Sequence, residues 1–176
     1  FRTRNGMSDF VLISVHLQPG SSRAEAARRA HELQTIASWI NTYNVEEKDF
    51  IILGDMNIED FEELQIATPQ GFLSLNDECR FTNTKGDKPY DHVMFSPSFT
   101  QEIDRAFDMQ VVDLVPTMEA FWNMPSPYPG NPYDHNAFRA CYSDHHPVVF
   151  RMNASMQDDD GIVPVAQRDV GNGDLQ

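Results

Sequence analysis

The sequence predicts an α/β layered domain on three observations. An apolar run rich in β-branched residues, Phe10 to His16 (FVLISVH), reads as a buried strand. A long amphipathic segment follows it, and a second apolar run, Phe50 to Leu53, follows that. Strand, helix, strand in this order favours sheet and helix stacked in layers.

Taken in chain order, Phe1 to Arg4 reads as a short strand and Asn5-Gly6 as a turn. After the FVLISVH strand, Pro19, Gly20, Ser21 and Ser22 break the chain. A helix is predicted from Arg23 to Tyr43. Ser22 stands as N-cap with Glu25 three residues on, the capping-box pattern. Ala26, Ala30, Leu33, Ile36, Ala37 and Ile40 fall on one face of it. A short helix is expected over Asp60 to Ile66, and strands over Tyr90 to Phe95 and Pro147 to Arg151. Residues 108–140 are rich in proline, asparagine and aromatic residues and read as a long irregular insertion. Its Phe121, Trp122, Tyr128, Tyr133 and Phe138 suit base stacking, burial of a small leaving group, or packing on one another.

The 176 residues suit one domain with a tail: residues 1–152 as the folded part and 153–176 as an acidic flexible extension. That tail carries Asp158-Asp159-Asp160, and Asn153-Ala154-Ser155 forms a glycosylation sequon. The net charge is -14, made of +3 over residues 1–30 and -17 over the rest. Such a surface does not grip nucleic acid by phosphate neutralisation alone, although a bound cation can supply positive charge locally. No apolar run is long enough to span a membrane. Two cysteines, Cys79 and Cys141, exclude a disulfide-dense scaffold and a Cys-rich zinc module; they could pair or stay reduced, and the simpler reading is two buried thiols. The chain opens on Phe1 without a signal segment and reads as a processed product or fragment, with a secreted or periplasmic setting favoured.

Polar residues gather where the apolar strands end. His16 closes FVLISVH, and Asp55 and Asn57 follow the strand Phe50 to Leu53 in Gly54-Asp55-Met56-Asn57. Asp91 and His92 sit in Tyr90-Asp91-His92-Val93, and Ser143-Asp144-His145-His146 precedes the last strand. Ligands of layered α/β proteins bind at strand ends. Carboxylates with an asparagine amide suit a hard cation such as Mg²⁺. Histidines beside carboxylates suit proton transfer or the holding of a phosphoryl oxygen. The set fits metal-assisted cleavage of a phosphate ester. One of His145 and His146 is expected to be structural, because side chains alternate along an extended segment. His31 and His135 are expected at the surface or in loops.

These motifs, in this order, resemble the endonuclease/exonuclease/phosphatase superfamily, the DNase I-like fold. The resemblance rests on Ser14-Val15-His16-Leu17, Gly54-Asp55-Met56-Asn57, Tyr90-Asp91-His92-Val93 and Ser143-Asp144-His145-His146-Pro147-Val148. It implies a sandwich of two face-packed mixed β-sheets flanked by helices, of which this chain supplies mainly the second half. It implies Asp144, with Asp55 and Asn57, at a Mg²⁺ site that Mn²⁺ or Ca²⁺ also fit. His145 would contact the phosphate or move a proton, paired with Asp91. Asp55 would orient or deprotonate water, Asn57 would hydrogen-bond a phosphate oxygen, and His16 would stabilise developing charge. The family's first half also supplies an Asn and a metal-binding Glu, and no strand ending in such an element precedes Phe10. The resemblance therefore implies a partner half, as preceding polypeptide, separate chain or second copy. An uncovered inner sheet face of roughly 1,000 Å² would forfeit about 25 kcal/mol of burial, beyond the typical stability of a domain, about 5–15 kcal/mol.

The substrate expected is a phosphate ester, with nucleic acid foremost and the chain acting as a phosphodiesterase or nuclease. The alternatives are a phosphomonoesterase, a phospholipid or inositol-phosphate phosphatase on the same chemistry, and a binding module that keeps the fold without catalysis.

Overall fold

A computed structural model describes residues 1, 9–43 and 47–153. The expected first strand (apart from Phe1), the Asn5-Gly6 turn and the acidic tail beyond Asn153 lie outside the described residues.

Strand β1 (Val11–His16) leads into helix α1 (Arg23–Tyr43), and strand β2 (Phe50–Asp55) returns parallel to β1. Helix α1 begins where the capping box places it. The Ser22 N–H donates to Glu25 Oε2 at 2.9 Å, and the Glu25 N–H donates back to Ser22 Oγ at 3.4 Å. Helix α2 (Phe61–Ala67) is capped by Asp60, whose carboxylate accepts the Glu63 N–H. Strands β3 (Leu73–Ser74) and β4 (Asp91–Phe95) complete a four-stranded mixed sheet in the order β1-β2-β4-β3. β5 (Gln110–Val111) and β6 (Val148–Val149) pair as a second, two-stranded sheet.

Period-two alternation splits the large sheet into two faces. Phe50, Ile52 and Met94 point to one side and pack with Leu33, Ala37 and Ile40 of α1 and Leu64 of α2. Ile51, Val93 and Phe95 point to the other and pack with Met109, Val111 and Val148 of the second sheet and its flanks. Two sheets thus face each other across one core, with helices outside the larger sheet. This is the layered architecture expected. On the inter-sheet side Phe10, Leu12, Leu53 and Val148 are only partly buried. β1 is an edge strand with no fully buried residue, so it is not the buried strand expected.

Three further expectations need correction. The last strand spans two residues, Val148–Val149, rather than Pro147 to Arg151. Residues 108–140 are not irregular throughout: they hold β5, α3 (Leu114–Thr117), a 3₁₀ turn over Met118–Phe121 and α4 (His135–Cys141). Their aromatic residues largely pack on one another, with Phe138 buried among Tyr128, Tyr133 and Tyr142, and Trp122 against Tyr128 and Tyr142. Phe121 alone of the five stands well out, 70% exposed. Finally, Cys79 is half-buried and Cys141 exposed, and both are free thiols. No helix of the described residues is long and apolar enough to cross a membrane.

Candidate active site

Strand register builds the site. His16 of β1 lies opposite Asp55 of β2, and Asp55 lies opposite Asp91 of β4. Residues directly opposite across a sheet point to the same face. Asp55 shares its parity with Ile51, and Asp91 with Val93 and Phe95, so both project toward the inter-sheet side. One rung at the end of the sheet therefore carries imidazole, carboxylate, carboxylate across three adjacent strands.

The fourth group arrives from the other sheet. The segment before β6 bridges Asn83 through His145, and the His146 N–H donates to Thr82 O at 2.6 Å. The Thr84 N–H donates to Asp144 O at 2.7 Å on the same short ladder. Thr82 joins both sides, because its hydroxyl oxygen accepts the Asp91 N–H at 2.9 Å. His145 Nδ1 then sits 2.7 Å from Asp91 Oδ2, while Nε2 is 3.5 Å from Asp55 Oδ2. His16 Nε2 approaches the same Asp55 oxygen at 3.4 Å from the exposed side.

The local sequence explains the sharp turn after β2. Gly54 adopts φ +134°, and a Cβ there would stand 2.2 Å from the Val15 carbonyl oxygen. Only glycine lets β1 and β2 approach this closely beside the site. Asn57 takes a left-handed φ of 51°, a conformation asparagine tolerates. Its N–H donates to Asp55 Oδ1 at 2.9 Å, and its amide Nδ2 donates to Leu17 O at 3.0 Å. That locks Asp55 from behind and ties the loop after β1 to the loop after β2. A second amide hydrogen of Asn57 is left for a ligand.

Electrostatics follow from these contacts. Partial burial pushes the Asp55 carboxyl above its ordinary range, opposed by the Asn57 N–H and the charge of His145. The hydrogen bond to Asp91 raises His145, with burial opposing it and the Asp91, Asp55 and Asp144 charges assisting. His146 behaves as the structural member of the pair. Burial lowers its basicity, and Nδ1 accepts the Leu114 N–H at 3.1 Å, anchoring α3.

Of the six residues expected at the site, five lie together: His16, Asp55, Asn57, Asp91 and His145. Asp144 adjoins them in sequence and lines the cleft beside His145, with its side chain exposed. The expected metal set was Asp144, Asp55 and Asn57. Among the described His, Cys, Asp and Glu residues, Asp55, Asp91 and His145 bring one ligand atom each within 4.8 Å of one another, and Asn57 stands beside them with its N–H on Asp55 Oδ1. Two carboxylates and an imidazole at that spacing fit a divalent cation. His145 Nδ1 is already engaged by Asp91, so Nε2 and the carboxylate oxygens are the donors left.

Sequence reasoning missed the supports. Arg29 of α1 is fully buried, with Nη1 donating to the Gln18 and Gly20 carbonyls and Nε to Glu63 Oε1 at 2.7 Å. Glu63 in turn accepts the Glu59 N–H. Arg29 thus braces the loop after His16 and the loop after Asn57 together. His92, buried beside Asp91, lies 2.9 Å from Ser74 Oγ through Nδ1. A long arginine on an amphipathic helix carries no signal of burial, although the apolar Ala26, Ala30 and Leu33 around it mark the inward face.

No family model matches the chain, and no curated protein matches it. Among solved structures, the chain is similar to truncated TDP2 of Caenorhabditis elegans, at 17% identity and a TM-score of 0.40, over 66% of this chain and 48% of that one. It is also similar to a humanised TDP2 of D. rerio carrying 14 mutations, at 18% identity and a TM-score of 0.36, over 57% of this chain and 45% of that one. The chain spans about half the length of these solved structures.

Proposed function

We propose that the chain carries the catalytic groups of a divalent-metal-dependent phosphodiesterase of the endonuclease/exonuclease/phosphatase type, acting as a nuclease. The single observation that carries this reading is the His16–Asp55–Asp91 rung closed by His145, 2.7 Å from Asp91.

In this reading Asp91 holds the His145 Nδ1 proton and fixes the ring. His145, made more basic by Asp91, presents Nε2–H to the phosphoryl group and gives that proton to the departing oxygen as its bond to phosphorus breaks. Asp55, its Oδ1 fixed by the Asn57 N–H, orients the attacking water and accepts its proton where it does not itself hold the cation. His16 adds a donor on the solvent side, and the spare Asn57 amide hydrogen holds a second phosphoryl oxygen. A cation such as Mg²⁺ held by Asp55 with Asp91 or Asp144 would polarise the phosphorus centre and offset the substrate's charge.

The test uses the whole natural protein with bis-p-nitrophenyl phosphate, plasmid DNA and inositol phosphates, with and without Mg²⁺. Expected is diester cleavage that EDTA abolishes, and a loss of at least about 10²-fold in Asp55→Asn and His145→Ala with the fold intact. Full activity in either variant, or monoester cleavage alone, refutes the proposal.

A further inference from the structure

A second feature adjoins the catalytic groups. A cleft of about 240 Å³ opens beside His145. One wall is the loop with Asn83, Lys85, Asp87 and Lys88; the other is α4, with His135 and Arg139; Tyr90 and Asp144 complete the lining. The whole chain has a net charge of -14, yet three of its thirteen Lys and Arg residues meet here. Asp87 is held by Lys85 Nζ at 2.7 Å and by Asn83 Nδ2 at 2.7 Å. Lys88 pairs with Glu59 outside the cleft lining. Arg139 has no ion pair among the described residues, so its planar fork of donors is uncommitted.

The cleft is built rather than incidental. Asn83 Oδ1 accepts the N–H groups of Asp87 and Lys88, each at 3.0 Å, and pins the loop that carries both lysines. Tyr133 Oη donates to Thr84 O at 2.6 Å and ties that loop to the chain entering α4. The hydroxyl has one proton, and Thr84 takes it. His135 Nδ1, 3.1 Å from the same hydroxyl, must therefore be the donor in their contact. Nε2 of the neutral ring is then an acceptor, so His135 braces the wall through Tyr133 and offers no donor to a phosphate.

Ammonium donors on one wall and a guanidinium on the other match the oxygens of a phosphate. The volume is below that of an ordinary ligand pocket, about 300–1,000 Å³, and suits one phosphoryl group with its sugar or ring. We infer that this cleft, through Lys85, Lys88 and Arg139, binds the phosphoryl group next to the one that is cleaved, so the preferred substrate carries at least two phosphates in succession. The inference rests on the phosphodiesterase reading for the bond broken, but the binding itself can be read without turnover.

The experiment compares wild type with the Lys85→Ala/Arg139→Ala double variant. Titration calorimetry of thymidine 3′,5′-bisphosphate against thymidine 5′-monophosphate reads the cleft alone. Expected is at least a tenfold preference for the bisphosphate in wild type that falls to near unity in the double variant. In turnover, a terminal phosphate on a thymidine dinucleotide should lower KM by a similar factor in wild type only. Hydrolysis of bis-p-nitrophenyl phosphate, which has a single phosphate, should be equal in both proteins. An inositol bisphosphate arm separates the sources of the second phosphate: a preference confined to the nucleotides assigns a nucleic-acid strand, and one confined to the inositol a phosphorylated ring. No preference for either bisphosphate in wild type, or one that survives in the double variant, overturns the inference. Absence of diester hydrolysis with the binding preference intact strikes the catalytic reading and leaves the cleft standing.

Discussion

Neutral, buried His92 makes a quantitative test of the scaffold beneath the active site. Burial pushes its basicity down from 6.5 to about 4, against the Pro89 carbonyl and the Asp91 charge, which pull the other way. The unfolded chain therefore takes up a proton near pH 6.5, whereas the native state does not until about pH 4. Stability from this group is fully present above pH 6.5 and is lost progressively as pH falls toward 4. The gap of about 2.5 units corresponds to about 3 kcal/mol at the acid end, and to about 2 kcal/mol between pH 7 and pH 5. His92→Gln keeps an amide for Ser74 Oγ and removes the titration. Urea unfolding of both proteins at pH 7, 6 and 5 gives the assay. Wild type should lose about 2 kcal/mol more than the variant over that interval, because His145 and His146 titrate in both and cancel. Parallel pH dependences would mean that His92 is charged or solvated in the native state, and the account of the β3–β4 interior would be wrong.

Four other outcomes follow from the same structure. Asp91→Asn removes the first cause of the raised His145 basicity, so the alkaline limb of the kcat/KM profile should move to lower pH and activity should fall roughly 10²-fold; an unmoved limb argues against the pairing. Gly54→Ala puts a Cβ against the Val15 carbonyl at a positive φ, and should cost about 3 kcal/mol or more in thermal or urea unfolding. Arg29→Met strands Glu63 and two carbonyls, with an expected loss of about 3–5 kcal/mol, whereas Arg29→Met with Glu63→Met should recover part of it. His146→Leu removes the acceptor for the Leu114 N–H and should loosen α3, seen as faster amide exchange there with the Asp91–His145 pair unchanged.

The strands and the site were legible for one physical reason. A strand buried on both faces reads as a continuous apolar run, and a polar residue that ends such a run has little structural excuse for being there. Phe50 to Leu53 followed by Gly54-Asp55 shows it; FVLISVH ending in His16 is apolar by sequence but forms a half-buried edge strand with Ser14 exposed. Helix α1 was legible to both ends because Ser22 and Glu25 mark its start by local hydrogen bonding. What local pattern cannot carry is register. That His16, Asp55 and Asp91 share one rung depends on pairing between segments up to 75 residues apart in sequence, and nothing in each segment states it. The same holds for Arg29, whose burial depends on carbonyls and a glutamate that the fold delivers. The aromatic residues of 108–140 read equally well as base-stacking platforms or as packing, because composition is blind to whether rings face each other.

A chemistry mounted on a shared rung is hostage to the parity of its strands. Adding or deleting one residue within Phe50–Asp55 or Asp91–Phe95 would turn the affected carboxylate to the helix side, even if every apolar contact found a substitute. Connections beyond the rung, such as the stretch between Phe121 and His135, carry no such restriction. Variation among descendants of this chain should accordingly accumulate as length changes in its loops, while the strands tolerate exchanges of side chain but not of count.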